Sequence, residues 1–245
     1  APPVDWWNAR LARRFDHVVA TTAFAAREFQ RIGASNITRV PLGVDLTEFH
    51  PAKYDQTLRT NLLGDNDILL VHCGRLSPEK RAERSIETAI ELARRGRRVR
   101  LIIAGDGPSR DSLQRLAVGH PIEFLGFVTE RDVLARLLAS ADVVLAPGPL
   151  ETFCLAALEA LASGTPVVAS ASSAVREVLG TDDTDEPVGA VSADNATAFA
   201  DAVDGVLATS PAARRFAARR RAEQFPWSLT IDRMPGVTSE DLKNW

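Results

Sequence analysis

The sequence predicts an α/β protein in which helices wrap a doubly wound parallel sheet. From residue 68 onwards, short apolar runs alternate with segments that have helical spacing. The apolar runs are nearly continuous rather than alternating, which is typical of strands that are buried on both faces in a parallel sheet. The predicted strands are 68–73, 99–104, 122–125, 143–146 and 167–169, and the predicted helices are 81–95, 109–117, 129–140, 153–163 and 196–208.

The first fifty residues predict a separate strand–helix–strand unit. A β-branched run at 17–21 precedes a segment of helical spacing at 23–31, and a second short strand follows at 37–41. We therefore divide the chain into a first unit at 1–50, a main α/β domain at 51–225 and a terminal segment at 226–245. The pattern leaves that terminal segment either as a final helix or as a tail.

The composition excludes several classes of protein. The chain has 245 residues, of which 45% are apolar and 25% charged, and its net charge is -3, so a soluble globular fold is expected and a nucleic-acid binder is not. Cys73 and Cys154 lie in apolar surroundings, which favours a reducing, cytosolic compartment. No apolar run is long enough to span a bilayer, and no signal peptide is visible. The chain starts at Ala1, and Met234 is its only methionine, which indicates a fragment of a longer protein.

The loop after the first strand of the main domain offers two cations for an anionic ligand. It contains Gly74, Arg75 and Lys80. A fork-shaped guanidinium and a point-charge ammonium suit the different oxygens of a diphosphate. Lysine occurs three times among the 29 basic residues of the chain, so a lysine here is an uncommon choice. The alternative is a solvated loop with ordinary surface charges.

The loop and helix after the strand at 143–146 carry the strongest signal. A Pro-Gly-Pro turn leads into Glu151, and the predicted helix ends before Gly164. Free N–H groups from Thr152 to Leu155 form an anion site at the positive end of the helix dipole. Glu159 falls within an otherwise apolar helix, where a buried carboxylate needs donors such as the hydroxyls of a ribose. The alternative is that Glu159 caps a loop or pairs with an arginine.

Two further loops give weaker signals. Gly105-Asp106-Gly107-Pro108 lacks the third glycine of the dinucleotide fingerprint, so a turn followed by a proline-initiated helix is favoured there. The segment at 126–128 could offer the backbone of Val128 to a ligand base, or could be only a strand end followed by a helix with Thr129 as its N-cap residue.

Together, the segments GRLSPEK, GDGP, GFV and ETFCLAALEALASGTPVVAS resemble the retaining glycosyltransferases of family 4, which have the two-domain GT-B fold. Glu151 and Glu159 match the E-x7-E hallmark of that family, and the resemblance covers residues 15–230. The segments WWNARLARRFDHVVATTAFAAREF and GPLETFCLAALEALASGTPVV look most like actinobacterial mannosyltransferases that act on phosphatidylinositol or related lipids. This resemblance implies GDP-mannose as the donor and a lipid or glycan as the acceptor.

The resemblance also implies roles for individual residues. Arg75 and Lys80 would bind the diphosphate and, with Glu151 at the sugar hydroxyls, carry the catalysis. Glu159 would contact the ribose, and the backbone of Val128 would meet the base. The backbone at 153–155 would hold the phosphate nearest the sugar. The full predicted donor-binding set is Gly74, Arg75, Lys80, Val128, Glu151, Thr152, Phe153, Cys154, Leu155 and Glu159.

The predicted chemistry is electrostatic stabilisation of the departing diphosphate. No carboxylate is placed as glycosidases place a nucleophile, no D-x-D is interpreted as flanked by a strand, and no His/Cys grouping has metal-ligand spacing, so we expect no metal and no cofactor. The acceptor domain of the family is represented only by its last strand–helix–strand, so the chain should bind a donor without transferring its sugar. The expected location is cytoplasmic, with membrane contact through the absent domain as a further expectation.

Three other functions are weighed against this one. A non-catalytic nucleotide-sugar-binding module is the main alternative, and a sugar-nucleotide epimerase is disfavoured by the E-x7-E pattern. A Rossmann dehydrogenase is disfavoured by the missing glycine and by the absence of a ribose-binding acid after the next strand. The arginine-rich stretches 94–100 and 214–221 could contact anionic lipid, but a solvated helix face is favoured.

Overall fold

The structure is a computed structural model that describes residues 2–180 and 188–236. Its strands form two separate sheets. The strands are β1 (Val18–Ala20), β2 (Ile37–Arg39), β3 (Ile68–Cys73), β4 (Val99–Ala104), β5 (Ile122–Gly126), β6 (Val143–Ala146), β7 (Val167–Ser170) and β8 (Gly189–Ser192). The helices are α1 (Pro2–Ala12), α2 (Ala23–Arg31), α3 (Gln56–Leu63), α4 (Ala82–Arg94), α5 (Arg110–Leu116), α6 (Arg131–Ser140), α7 (Leu155–Ala162), α8 (Val175–Leu179), α9 (Ala196–Ala208), α10 (Pro211–Ala222) and α11 (Trp227–Arg233).

The main sheet confirms the predicted doubly wound α/β fold. Its six strands are all parallel, in the order β5-β4-β3-β6-β7-β8. One apolar core lies on each face. Helices α4, α5 and α9 cover one face, and α3, α6, α7, α8 and α10 cover the other. The strands that follow β3 are added first on one side of it, as β4 and β5, and then on the other side, as β6, β7 and β8. In such sheets, ligands bind outside the carboxyl ends of the two strands where the order switches, which here are β3 and β6.

The small sheet confirms the predicted first unit. β1 and β2 pair in parallel, with Val18 opposite Ile37, and α2 connects them. The hydroxyl of Thr22 caps α2 by accepting from the N–H of Ala25, at 3.1 Å. The domain boundaries at 50 and 225 stay predictions.

The chain runs between the two sheets in two adjacent segments. The N–H of Val44 donates to the carbonyl of Phe225 at 2.9 Å, and Val44 forms a parallel bridge with Pro226. The hydroxyl of Thr230 on α11 donates to the carbonyl of Pro41 at 2.8 Å. Part of the terminal segment is therefore a helix, α11, whereas residues 237–245 lie outside the described part of the chain.

Five elements have no counterpart in the predicted pattern: α1, α3, α8, α10 and β8. α3 has no buried residue, and β8 is a short strand of small residues, so neither produces a strong apolar period. The predicted N-cap Thr129 is wrong, because α6 begins at Arg131 after Glu130. The predicted helix at 153–163 begins two residues later, at Leu155, since Cys154 adopts a left-handed φ of 71°.

The interpretation of 214–221 as a solvated face is also wrong for several of its arginines. Arg214 is buried and forms an ion pair with Asp142 at 3.4 Å. Arg219 donates to the carbonyls of Phe49 and Ala162, both at 2.9 Å. These guanidiniums join α10 to the main domain because they satisfy carbonyls that would otherwise be left unpaired.

Candidate functional site

The predicted site residues meet where β3 and β6 end. A cavity of about 340 Å³ opens there, between the loop that follows β3 and the loop that follows β6. We call it the phosphate-side cavity, because its lining includes Lys80 and the start of α7. Other lining residues are Leu42, His72, Cys73, Gly74, Leu145, Ala146, Pro147, Gly148, Glu151, Thr152, Phe153, Cys154, Leu155 and Ala156.

The backbone at the start of α7 presents donors to this cavity. Within the described residues, no protein group accepts a hydrogen bond from the N–H groups of 152–156. Cys154 adopts a left-handed conformation although it has a side chain, which costs roughly 1–3 kcal/mol that the surrounding contacts must offset. Residues 152–156 line the cavity at the N-terminal end of α7, where free N–H groups and the helix dipole stabilise an anion.

Lys80 and Glu151 form an ion pair across the mouth of the cavity. Lys80 Nζ lies 2.6 Å from Glu151 Oε1. Glu151 also lies against Gly148, where an added Cβ would be 3.2 Å from Oε1. The sequence placed both residues at the site, but it gave no sign that they bind each other.

Arg75 and Val128 line a second cavity, which we call the base-side cavity. Its volume is about 350 Å³, and its other lining residues are Cys73, Gly74, Ala104, Gly105, Asp106, Phe127 and Leu134. Cys73 and Gly74 line both cavities, so the two compartments are adjacent. Arg75 is exposed, and its guanidinium makes no ion pair with any residue that the structure describes. Phe127 is 74% exposed, which leaves an aromatic face beside the opening.

The glycines at 105 and 107 let two loops come close together. A Cβ added to Gly105 would lie 1.8 Å from the carbonyl oxygen of Gly74, and one added to Gly107 would lie 2.4 Å from that of Leu76. The N–H of Leu76 donates to the carbonyl of Asp106 at 2.9 Å. The absence of a side chain at both glycines therefore lets the two loops approach closely enough for this hydrogen bond to fix the Arg75 loop. The favoured prediction of a proline-initiated helix is wrong in detail, because α5 begins at Arg110 and Pro108 stays in the turn.

Glu159 lies on α7, 16% exposed, with one nearby cation. Arg131 approaches its carboxylate at 3.8 Å, and no described residue donates a hydrogen bond to it. Burial raises the pKa of Glu159, and the charge of Arg131 partly opposes that rise. Glu159 therefore has one distant arginine partner, as the alternative interpretation predicted. Its carboxylate oxygens can still accept hydrogen bonds from the hydroxyls of a ligand.

Two thiols and one imidazole are among the groups that line the phosphate-side cavity. Burial raises the pKa of both Cys73 and Cys154 to about 12, so neither is a thiolate at neutral pH. His72 Nδ1 lies 2.9 Å from the hydroxyl of Ser85, and its Nε2 is buried without a partner. Burial and the charge of Lys80 lower the pKa of His72 to about 4, which keeps the imidazole neutral. Sequence reasoning gave His72 no role, although a polar residue in an otherwise apolar strand was the available signal.

All ten predicted site residues thus lie at one edge of the main sheet, around two adjacent cavities or on the helix beside them. Among the described residues, no group of three or more His, Cys, Asp or Glu is arranged to hold a metal ion. None of the described helices has the length and apolar character needed to cross a bilayer.

Comparison with known proteins assigns the family. The model for glycosyl transferases group 1 matches residues 55–223. The chain belongs to this family. The predicted glycosyltransferase resemblance is therefore confirmed.

Relatives of this glycosyltransferase chain include two mycobacterial enzymes. A GDP-mannose-dependent alpha-(1-6)-phosphatidylinositol dimannoside mannosyltransferase of Mycobacterium tuberculosis is 51% identical over 91% of the chain and 57% of the relative. A GDP-mannose-dependent alpha-mannosyltransferase of Mycolicibacterium smegmatis is 34% identical over 71% of the chain and 44% of the relative. The chain therefore spans about half the length of these curated relatives.

Solved structures confirm the fold. HepE of Anabaena, in complex with UDP and glucose, superposes with a TM-score of 0.81 at 23% identity, over 100% of this chain and 68% of that one. The structural neighbours are GT-B glycosyltransferases, so the predicted GT-B architecture of the main domain is confirmed.

Proposed function

We propose that this chain is the donor-binding part of a retaining hexosyltransferase that transfers mannose from GDP-mannose to a lipid or glycan acceptor. The observation that carries the proposal is the convergence of Arg75, Lys80 and the free N–H groups at 152–156 on two adjacent cavities. The mycobacterial relative at 51% identity supports GDP-mannose as the donor, since GDP-mannose is part of its name.

In the proposed reaction, the bond between the anomeric carbon and the phosphate oxygen breaks, and its electron pair stays on the phosphate. Lys80, Arg75 and the amides at the start of α7 stabilise this growing negative charge. The acceptor hydroxyl attacks on the face from which the diphosphate leaves and gives up its proton to the leaving group, so the anomeric configuration is retained. Glu151 orients the hydroxyls of the sugar.

The remaining groups bind the nucleoside. Glu159 accepts from the ribose hydroxyls, and Val128 offers its backbone to the base in the base-side cavity. We propose that the site works without a metal, because the cationic side chains and the helix dipole supply the positive charge that a diphosphate needs.

Calorimetric titration with GDP, UDP and ADP tests the proposal. We expect GDP to bind most tightly and EDTA to leave its affinity unchanged. The donor site would be refuted if none of the three nucleotides bound, and the choice of GDP would be refuted if UDP or ADP bound more tightly.

A non-catalytic donor-binding module is the second candidate, because the site residues described above account for donor binding alone. Comparing sugar transfer by this chain and by a version extended to the relative's length separates the two. We propose that only the extended version transfers mannose. We also propose that it does so in the cytoplasm, at the cytoplasmic face of the membrane, with the acceptor domain making the membrane contact.

A further inference from the structure

The turn that precedes α7 is held by hydrogen bonds from two different parts of the molecule. The carbonyl of Glu151 accepts from the N–H of Ala174, just before α8, at 2.9 Å. The carbonyl of the next residue, Thr152, accepts from the hydroxyl of Thr22 at 2.7 Å and from that of Thr21 at the longer distance of 3.3 Å. Two consecutive carbonyls of this turn are therefore fixed, one by the main domain and the other by the first unit.

These two carbonyls determine the directions of the N–H groups that follow them. A trans peptide is planar, so its C=O and N–H bonds point in opposite directions. The bond from Ala174 therefore fixes the N–H of Thr152, and the bond from Thr22 fixes the N–H of Phe153. Both N–H groups belong to residues 152–156, which line the phosphate-side cavity. A side chain of the first unit thus sets the direction of one donor of the anion site.

Thr22 is itself held firmly in place. Its side chain is buried, and its hydroxyl oxygen accepts from the N–H of Ala25 at 3.1 Å as the N-cap of α2. A hydroxyl carries one proton, and here that proton is left for the carbonyl across the interface. The start of α2 is anchored in turn by Glu177 of α8, whose carboxylate accepts from the N–H groups of Ala23 and Phe24, both at 2.8 Å. The donor hydroxyl therefore has a defined position relative to the main domain.

We infer that Thr22 is a positioning residue for donor binding. This inference rests on the proposed function, because it takes the phosphate-side cavity to hold the donor diphosphate. Thr22 does not touch the nucleotide. It orients the peptide between Thr152 and Phe153, whose N–H binds the phosphate nearest the sugar. The same peptide serves the interface and the ligand, so docking of the first unit and binding of the diphosphate strengthen each other.

Calorimetric titration with GDP and with GMP tests this role, because GMP lacks the phosphate nearest the sugar. The variant Thr21→Val/Thr22→Val removes both hydroxyl donors and keeps the shape of the side chains. We expect it to bind GDP about three- to tenfold more weakly than wild type, the effect of one lost hydrogen bond, and to bind GMP as wild type does. Thr22→Ser keeps the hydroxyl and should bind both nucleotides as wild type does.

Ser210→Ala is the matched control, because it removes an N-cap of the same kind from α10. The hydroxyl of Ser210 accepts from the N–H of Ala213 at 3.3 Å. Arg214 of the same helix pairs with Asp142 next to the amino end of β6, whereas the cavity lies at the carboxyl end. This control should lower the melting temperature, as loss of a cap does, and leave both nucleotide affinities unchanged. Thermal melts show whether each variant is folded, and Thr22→Val alone gives the same comparison if the double variant is not.

The ratio of GDP affinity to GMP affinity decides the outcome. An unchanged ratio in the valine variant overturns the inference, whether neither nucleotide is weakened or both are weakened equally. Loss of GDP affinity in Thr22→Ser would overturn it as well, since the hydroxyl is still present. A wild-type chain that did not bind GDP would refute the proposed function, whereas normal GDP binding with an unchanged ratio would refute only the role of Thr22.

Discussion

Lys80 Nζ lies 2.6 Å from Oε1 of Glu151, and this ion pair joins the loop after β3 to the loop after β6. Both side chains are more than half buried, at 33% and 13% exposure, so water screens the pair only partly. In the absence of a donor, Lys80 therefore already has an anionic partner. A diphosphate must compete with Glu151 for this lysine.

The first prediction concerns this competition. We expect Lys80→Ala to weaken GDP binding by about 1.5–3 kcal/mol, because a charge-assisted contact to the diphosphate is lost. Arg75→Ala should weaken it within the same rough range. Glu151→Gln frees Lys80 from its carboxylate, so GDP should bind at least as tightly as to wild type. Calorimetric titration with GDP measures the affinity of all three variants.

Lys53→Ala is the matched control, since Lys53 pairs with Asp132 at 2.6 Å and lines neither donor cavity. Its GDP affinity should equal that of wild type. Unchanged affinity in both Arg75→Ala and Lys80→Ala would refute their assignment to the diphosphate.

The second prediction uses the raised pKa of Glu159. Because its pKa in the folded state lies above its ordinary value, the folded protein is destabilised as pH rises and the carboxyl ionises. Glu159→Gln should therefore raise the melting temperature at pH 7, and this gain should vanish when pH falls to about 4.5, near the ordinary pKa. Thermal melts without nucleotide measure the effect.

Glu130→Gln serves as its control, because Glu130 is exposed and should show no such gain. In a separate titration, Glu159→Ala should weaken GDP more than it weakens a 2′,3′-dideoxy analogue. Equal weakening of both nucleotides would contradict contact with the ribose.

The third prediction concerns acid stability through His72. Its pKa of about 4 in the folded state lies below its ordinary 6.5, so the unfolded chain binds the extra proton first. The neutral imidazole therefore contributes about 3 kcal/mol to the free energy of unfolding above pH 6.5, and this contribution is lost as pH falls to 4. His72→Phe should remove this part of the pH dependence in urea unfolding, and the exposed His120→Gln should not. An identical pH profile for His72→Phe and wild type would show that the imidazole is not neutral in the fold.

The fourth prediction concerns the close approach of two loops. Gly105→Ala places a Cβ 1.8 Å from the carbonyl oxygen of Gly74, so the backbone must shift. We expect a loss of about 1–3 kcal/mol of unfolding free energy, together with weaker GDP binding through the displaced Arg75 loop. Gly205→Ala lies within α9 with open space around it and should stabilise by about 0.5–1 kcal/mol. Urea unfolding compares the two, and equal stabilities would refute the steric account.

The sequence predicted those features that follow from local apolar runs. The strands β3, β4 and β6 match their predicted bounds because each is a buried run flanked by a polar loop. Ligands of such sheets bind at the carboxyl ends of the strands, and that rule is enough to group Arg75, Val128 and Glu151 from the sequence alone. The boundary at Cys154 could not be predicted, because a left-handed cysteine is imposed by its surroundings rather than by its own preference.

The sequence did not predict the contacts between segments that are distant in the chain. Lys80 and Glu151 are 71 residues apart in the chain, and nothing local to either one indicates the other. Arg214 and Arg219 resemble surface charges until α10 is placed against the main domain, where carbonyls and Asp142 surround them.

The adjacent segments near Val44 and Phe225 determine how the small sheet can move. A single linker would let the first unit turn about many axes. Two parallel segments, joined by the Val44–Phe225 hydrogen bond and packed so closely at Gly43 that a Cβ there would lie 2.5 Å from Trp227 Cα, must twist together. Any turn of the small sheet therefore has to move both segments at once. Phe153 packs edge-on against Phe225 with ring centroids 6.3 Å apart, so such a turn would also shift a wall of the phosphate-side cavity.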